Sequence, residues 1–239
     1  MPRTLRRWTA GAALAAALGL VGAESVAAQQ DGQLDGGTFE HSVGGSFAGT
    51  ETFAVRQRGQ DVVAVGRVTR EGGPETLRAL EVGLRLDSSG RPARYELQTR
   101  EGPGLHVVVN RTGSRLRVTT AADEEERFTE FLAGERLVLL EREIAHHYYD
   151  LARRIREAGD PRVLELEALV PSESRLVPLR VRAFSRDTLN LEDARVSSTR
   201  YEMSVGGEVT LLWTATEDGR IMRVAIPERG WEAARVARP

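Results

Sequence analysis

The chain has 239 residues, 33 basic against 35 acidic, 41% hydrophobic, and no cysteine. Without cysteine there is no disulfide framework, no thiol nucleophile, no thiolate metal site and no lipid-acylated cysteine. Every basic residue is arginine, which removes phosphate-loop, Schiff-base and serine–lysine chemistry, and the near balance of charge offers no basic excess for nucleic acid.

The N-terminus carries the most specific signal. Arg3, Arg6 and Arg7 precede a small, apolar stretch from Thr9 to Gly22, and Val26-Ala27-Ala28 offers the small residues a signal peptidase needs. Residues 1–28 therefore read as a bacterial-type signal peptide cut before Gln29. The apolar run is too short to span a bilayer. Trp8-Thr9 stands where twin-arginine export needs large apolar residues, so the general secretory route is expected. The mature protein is expected in the periplasm or outside the cell, without a transmembrane segment. Residues 29–37 are Gly/Asp-rich and read as a flexible leader. Residues 38–236 read as one β-rich domain, large enough for a single core.

From Thr38 onward, period-two alternation dominates, the mark of antiparallel strands with one buried face. Runs at Phe47–Arg56 and Asp61–Val68 fit it. Leu80, Val82, Leu84 and Leu86 point one way, and after the turn at Asp87–Gly90 the partner strand sends Ala93, Tyr95, Leu97 and Thr99 inward. Leu105, Val107 and Val109, with Leu116 and Val118, form a second hairpin around Gly113, and Glu125–Leu132 makes another strand. The pattern then changes. Leu140, Ile144, Tyr148, Leu151 and Ile155 are spaced as a helical stripe, with Asp150 and Arg154 paired on the wet side. Gly159 and Pro161 end it, so one amphipathic helix is expected over about 141–158. Strands resume with Leu164–Val170 and Val177–Ala183. Tyr201, Met203 and Val205 lead through Gly206-Gly207 to Val209, Leu211 and Trp213, and Asp218-Gly219 turns the chain into Ile221–Ile226.

About a dozen antiparallel strands cannot stay flat. The fold class expected is mainly β: a large curled antiparallel sheet, as a half-barrel or open barrel, with one amphipathic helix against its concave face. The meander before a single helix, and the late hairpin Leu211–Ile226 with its apolar–Asp–Gly–Arg–apolar turn, resemble exported bacterial domain-of-unknown-function proteins similar to the LolA/LppX group of periplasmic lipid and lipoprotein carriers. That resemblance implies an unclosed barrel whose helical lid covers acyl chains. It carries over no individual site residue, because the group's cavity is defined by shape.

Conventional catalytic motifs are weak. In Glu143–Asp150, Glu143 and His147 share a helical face, as do His146 and Asp150, but His146 and His147 sit about 100° apart. A catalytic zinc wants three protein ligands, and His41 and His106 fall in distant strands. The paired histidines therefore read as helix-surface groups. Gly44-Gly45-Ser46-Phe47-Ala48 lacks both the second glycine and the following helix of a nucleophile elbow. Asp123–Glu126 reads as a solvated hairpin tip. No cofactor and no metal are expected.

The leading expectation is an exported, non-enzymatic protein that binds a lipid, acyl chain or other amphipathic molecule between sheet and helix. Leu84, Tyr95, Val107, Tyr148, Leu151 and Trp213 are the expected lining. The alternative is a cell-envelope structural or interaction module with a packed core. A metal-assisted hydrolase using Glu143 and His147 comes last. The protein partner and the oligomeric state are left open.

Overall fold

In the computed structural model, the described residues are 32–71, 79–100, 104–122, 125–159, 162–191 and 194–236. The expected signal peptide lies outside them, as do Asp123, Glu124 and Pro161. The strands are β1 (Gln33–Val43), β2 (Ser46–Arg58), β3 (Asp61–Arg70), β4 (Ala79–Leu86), β5 (Pro92–Thr99), β6 (His106–Thr112), β7 (Arg115–Ala122), β8 (Glu125–Leu132) and β9 (Leu137–Leu139). After α1 (Tyr148–Glu157) come β10 (Leu164–Val170), β11 (Arg175–Leu191), β12 (Ala194–Val205), β13 (Glu208–Ala215), β14 (Ile221–Ile226) and β15 (Trp231–Arg235). Residues 33–37, read from sequence as part of the leader, belong to β1 and pair with β2.

All 15 strands form one sheet, ordered β8-β7-β6-β5-β4-β3-β2-β1-β15-β14-β13-β12-β11-β10-β9. Neighbours are antiparallel except β9 and β10, which run parallel. Two meanders therefore meet where β1 pairs with β15, Phe39 opposite Arg235. The sheet is mainly β, open and curled, and its packing shows why. The segment after β9 lies against β3 and β14, and β9 itself lies against β5. Flat, β3 and β14 would stand about 19 Å apart at the usual strand spacing, too far for the three-residue turn Ala145–His147 to lie against both. The concave face instead wraps that segment and buries one continuous apolar cluster that includes Val55, Leu84, Tyr95, Val107, Leu151, Leu212 and Val224.

The plug is less helical than the stripe predicts. Leu140 N–H still bonds the Leu169 carbonyl as an extension of the β9–β10 ladder, and Ile144 is extended at φ −128°, ψ 104°. A single 3-10 turn, Ala145–His147, then leads into α1. Glu141 and Arg142 are held by partners on β5, β12, β13 and the β10–β11 turn, and the chain turns helical only beyond them. Asp150 is not on a wet face either. It is 1% exposed and accepts bonds from Arg153 at 2.6 Å and Arg154 at 3.2 Å, while Arg154 also donates to the Leu137 carbonyl.

The direction of β13 also differs from the alternation read in sequence. The tight turn at Gly206-Gly207 pairs Val205 with Glu208, and this register sends Thr210, Leu212 and Thr214 inward. Leu212 meets Tyr201 and Val224. Trp213 faces the convex side, beside its register partners Arg200 and Arg223, with its indole N–H donating to Asp187 Oδ2 at 3.0 Å and the Arg223 guanidinium 4.8 Å from its ring. Five consecutive residues from Leu211 to Ala215 are weakly polar or apolar, so sequence alternation alone could not choose the face; the turn chooses it.

Candidate functional site

Two features of the concave side stand out. The first is a buried ionic pin between sheet and plug. The inward positions of β1 and β2 carry His41 and Glu51, and Glu51 is completely buried. Its Oε1 accepts from the His146 backbone N–H and from His146 Nδ1, both at 2.7 Å, and its Oε2 accepts from Ala145 N–H at 2.8 Å and His41 Nε2 at 3.1 Å. Burial opposes ionisation, but these donors and the adjacent imidazoles hold the carboxyl far below its usual range. The His146 ring lies over Gly66 of β3, where a Cβ would clash with its Cε1, so glycine is required for the plug to seat. Phe53 lies parallel to the same ring, with centroids 6.0 Å apart.

His147 is also buried, its Nδ1 accepting a long bond from Glu141 N–H at 3.4 Å. Its Nε2 and that of His146 have no hydrogen-bond partner among the described residues. Burial, reinforced by His146, pushes His147 well below the usual imidazole range. The histidines read as surface groups are thus core groups, and His41, distant in sequence, joins them. Glu143 points elsewhere, to Arg70 at 3.4 Å and Arg229 at 3.0 Å on the rim. Among the described residues, no set of three or more His, Asp or Glu side chains is placed to hold a metal ion.

The second feature is a cleft of about 190 Å³ at the rim, where Glu141–Ile144 passes the ends of β4, β5 and β6. Leu80, Leu97, Leu105 and Ile144 form its apolar wall, Arg70 and Arg229 stand with Glu143 and Glu173 around it, and Arg142 is buried in its side. Glu141 and Ser172 form the polar floor: Ser172 donates to Glu141 from its hydroxyl at 2.5 Å and from its backbone N–H at 3.1 Å. Tyr95 OH donates to the same carboxyl at 3.4 Å. Burial raises the Glu141 carboxyl above its usual range despite these donors. Arg142 bolts this wall down, bonding Glu173 at 3.1 Å, the Val205 carbonyl at 3.2 Å, and Glu208.

The expected lining residues divide. Leu84, Tyr95, Val107, Tyr148 and Leu151 converge in the packed cluster, each at most 2% exposed, and none of them lines the cleft. Trp213 is on the other face of the sheet. The cleft wall instead uses the same inward alternation nearer the rim: Leu80 on the face of Leu84, Leu97 on that of Tyr95, and Leu105 on that of Val107.

No protein-family model matches the chain, and no curated protein matches it. Among solved structures, the chain is similar to a β-barrel-like protein of the domain of unknown function DUF1849 from Brucella abortus. The match has a TM-score of 0.54 and 9% identity, and covers 84% of this chain and 94% of that one. At that identity the likeness speaks for the fold alone. No helix among the described residues is long and apolar enough to cross a membrane.

Proposed function

We propose that the protein is exported and binds a small amphipathic ligand at the rim cleft, its apolar end against Leu80, Leu97, Leu105 and Ile144 and its polar head beside Arg70 and Arg229, in competition with Glu143. One observation carries this reading: a leucine wall and a rim of paired arginines and glutamates share one cleft between the sheet and the plug. The size sets the class of ligand. A dry cavity of about 150 Å³ accepts benzene, and drug-sized ligands occupy roughly 300–1,000 Å³. A cleft of about 190 Å³ therefore takes one ring or a short chain, with the rest of the molecule outside. In this reading the plug fills the hollow where carriers of the LolA/LppX group would hold acyl chains, and the ligand is held at its edge. The Arg3–Ala28 pattern supports export.

The test is a chain-length series. Calorimetric titration of the protein with propanoate, butanoate, hexanoate, octanoate and decanoate should show affinity rising about fourfold per added methylene while the chain is being buried, then levelling off once the cleft is full. Leu105→Trp, which fills the cleft from a half-buried position, should abolish the trend with the far-ultraviolet circular dichroism unchanged. An affinity independent of chain length, or unaffected by Leu105→Trp, removes the proposal.

A further inference from the structure

The sheet ends differently on its two sides. β9 is three residues long, fully buried, and tucked against β5. β8 is eight residues long and exposed at every position except Phe131. Its outer edge pairs with no strand among the described residues. Proteins blunt such edges with proline, a bulge, a covering element or charge, because a free row of N–H and C=O groups templates further pairing. β8 has no proline, and its register with β7 runs unbroken from Ala122 opposite Glu125 to Arg115 opposite Leu132. Charge is present: Glu126 and Glu130 stand on the outer face, Arg115 lies 3.0 Å from Glu130, and Arg127 is tied to Glu125 at 2.7 Å, so what this edge resists is another acidic strand. Between the acids, Phe128 and Leu132 are 62% and 71% exposed. The Arg117 guanidinium, 4.3 Å from the Phe128 ring, steadies that ring on the surface.

We propose that β8 is a docking edge for an extended segment of a partner protein in which basic and aliphatic residues alternate, added to the sheet as its next strand. Backbone hydrogen bonds supply affinity in this mode, and alternate side chains supply selectivity. The outer face of β8 reads Glu126, Phe128, Glu130, Leu132, so it selects basic residues opposite the two acids and aliphatic ones opposite Phe128 and Leu132. A second copy of this chain fits poorly. Two β8 strands paired antiparallel keep their outer faces on one side, so a pairing centred on Phe128 sets Glu126 against Glu130 twice. One centred on Thr129 sets Phe128 against Glu130 and Glu126 against Leu132, and one centred on Glu130 matches Phe128 with Leu132 but sets the two Glu130 carboxylates face to face. Like charges, or an acid on an aromatic, then face each other.

The experiment uses the whole protein and two labelled octapeptides, Val-Thr-Arg-Thr-Val-Thr-Arg-Thr and its charge-inverted form with glutamate for arginine, read by fluorescence anisotropy. The arginine peptide should bind and slow amide exchange in β8. The glutamate peptide should bind at least about tenfold more weakly, as should the arginine peptide to Phe128→Arg and Leu132→Arg, which remove the apolar partner and set like charge against the peptide. Both substitutions are at exposed positions, and their thermal melts should match the wild type. Failure of both peptides to bind, equal binding of the two, or indifference to Phe128→Arg overturns the proposal. So does a wild-type dimer in sedimentation that Phe128→Glu dissociates, which would assign the edge to a second copy. Ligand binding at the rim cleft is independent of every one of these outcomes.

Discussion

Glu51→Ala should destabilise the protein by about 3–5 kcal/mol, the loss measured on breaking a buried ion pair from one side. The carboxylate is the common acceptor for four donors: two backbone N–H groups of the plug, His146 Nδ1 and His41 Nε2. Alanine leaves all four without that acceptor at a site that excludes water, and each orphaned buried donor carries its own desolvation cost. Glu51→Gln should recover little. Whichever way the amide is turned, its NH2 meets either the Ala145 or the His146 backbone N–H, and a backbone donor cannot switch to an acceptor as an imidazole can. Urea denaturation of the two variants beside an exposed control, Glu165→Ala, tests this. If Glu51→Ala falls within 1 kcal/mol of the control, roughly the reach of an ordinary surface change, the pin does not hold the plug.

The sheet was legible because its rules are local. Leu80–Leu86 and Tyr95–Thr99 each bury one face, and the glycine turns fix which strands pair. Alternation fails where several weakly polar or apolar residues run together, as at Leu211–Ala215, and there the Val205–Glu208 register decides. The plug was legible only in part. Its heptad-like stripe does face the core, since Leu140, Ile144, Tyr148, Leu151 and Ile155 are all buried. Helical spacing could not reveal that residues 141–144 are held by distant groups, because Ser172, Glu208 and Tyr95 are far away in sequence. For the same reason the pin was invisible: His41, Glu51 and His146 are unremarkable singly. The one available signal was an acid, Glu51, at an inward strand position, the class of residue least often buried without a partner.

The candidate site shifted for a related reason. The expected lining named the middle of each inward face, whereas the cleft uses positions nearer the rim, Leu80, Leu97 and Leu105. Which positions on a face are covered depends on how deep the plug reaches, and that is set by Tyr148, whose hydroxyl donates to the Arg142 carbonyl at 2.9 Å, and by the Glu51 pin. Period-two alternation encodes the side of a sheet but nothing about depth along the strand.

Acid should loosen the same joint in two stages. Both groups that drive the effect have folded values below their unfolded ones, so each contributes stability above its unfolded value and loses it as pH falls. His147 acts first. Its unfolded form takes up a proton near pH 6.5, while the buried ring, facing His146, Glu51 and Tyr95, resists it. Stability should fall by up to about 1.4 kcal/mol per pH unit below that point. Glu51 adds a second loss below about pH 4.3, where the unfolded carboxyl protonates and the folded one does not. Glu141 works in the opposite sense: its folded value is raised, so its contribution is lost as pH rises through that value, and it softens the acid limb. The His147 share is isolated by His147→Asn, followed by urea denaturation at pH 7.5, 6.5 and 5.5. The variant should start less stable at pH 7.5 yet lose less between pH 6.5 and 5.5 than the wild type. Parallel slopes for the two proteins would mean that His147 accepts its proton as readily in the folded chain as in the unfolded one. With the expected slopes, amide exchange at Ala145 and His146 should quicken before that of β13 and β14, because the plug is released from β2 while the sheet still stands.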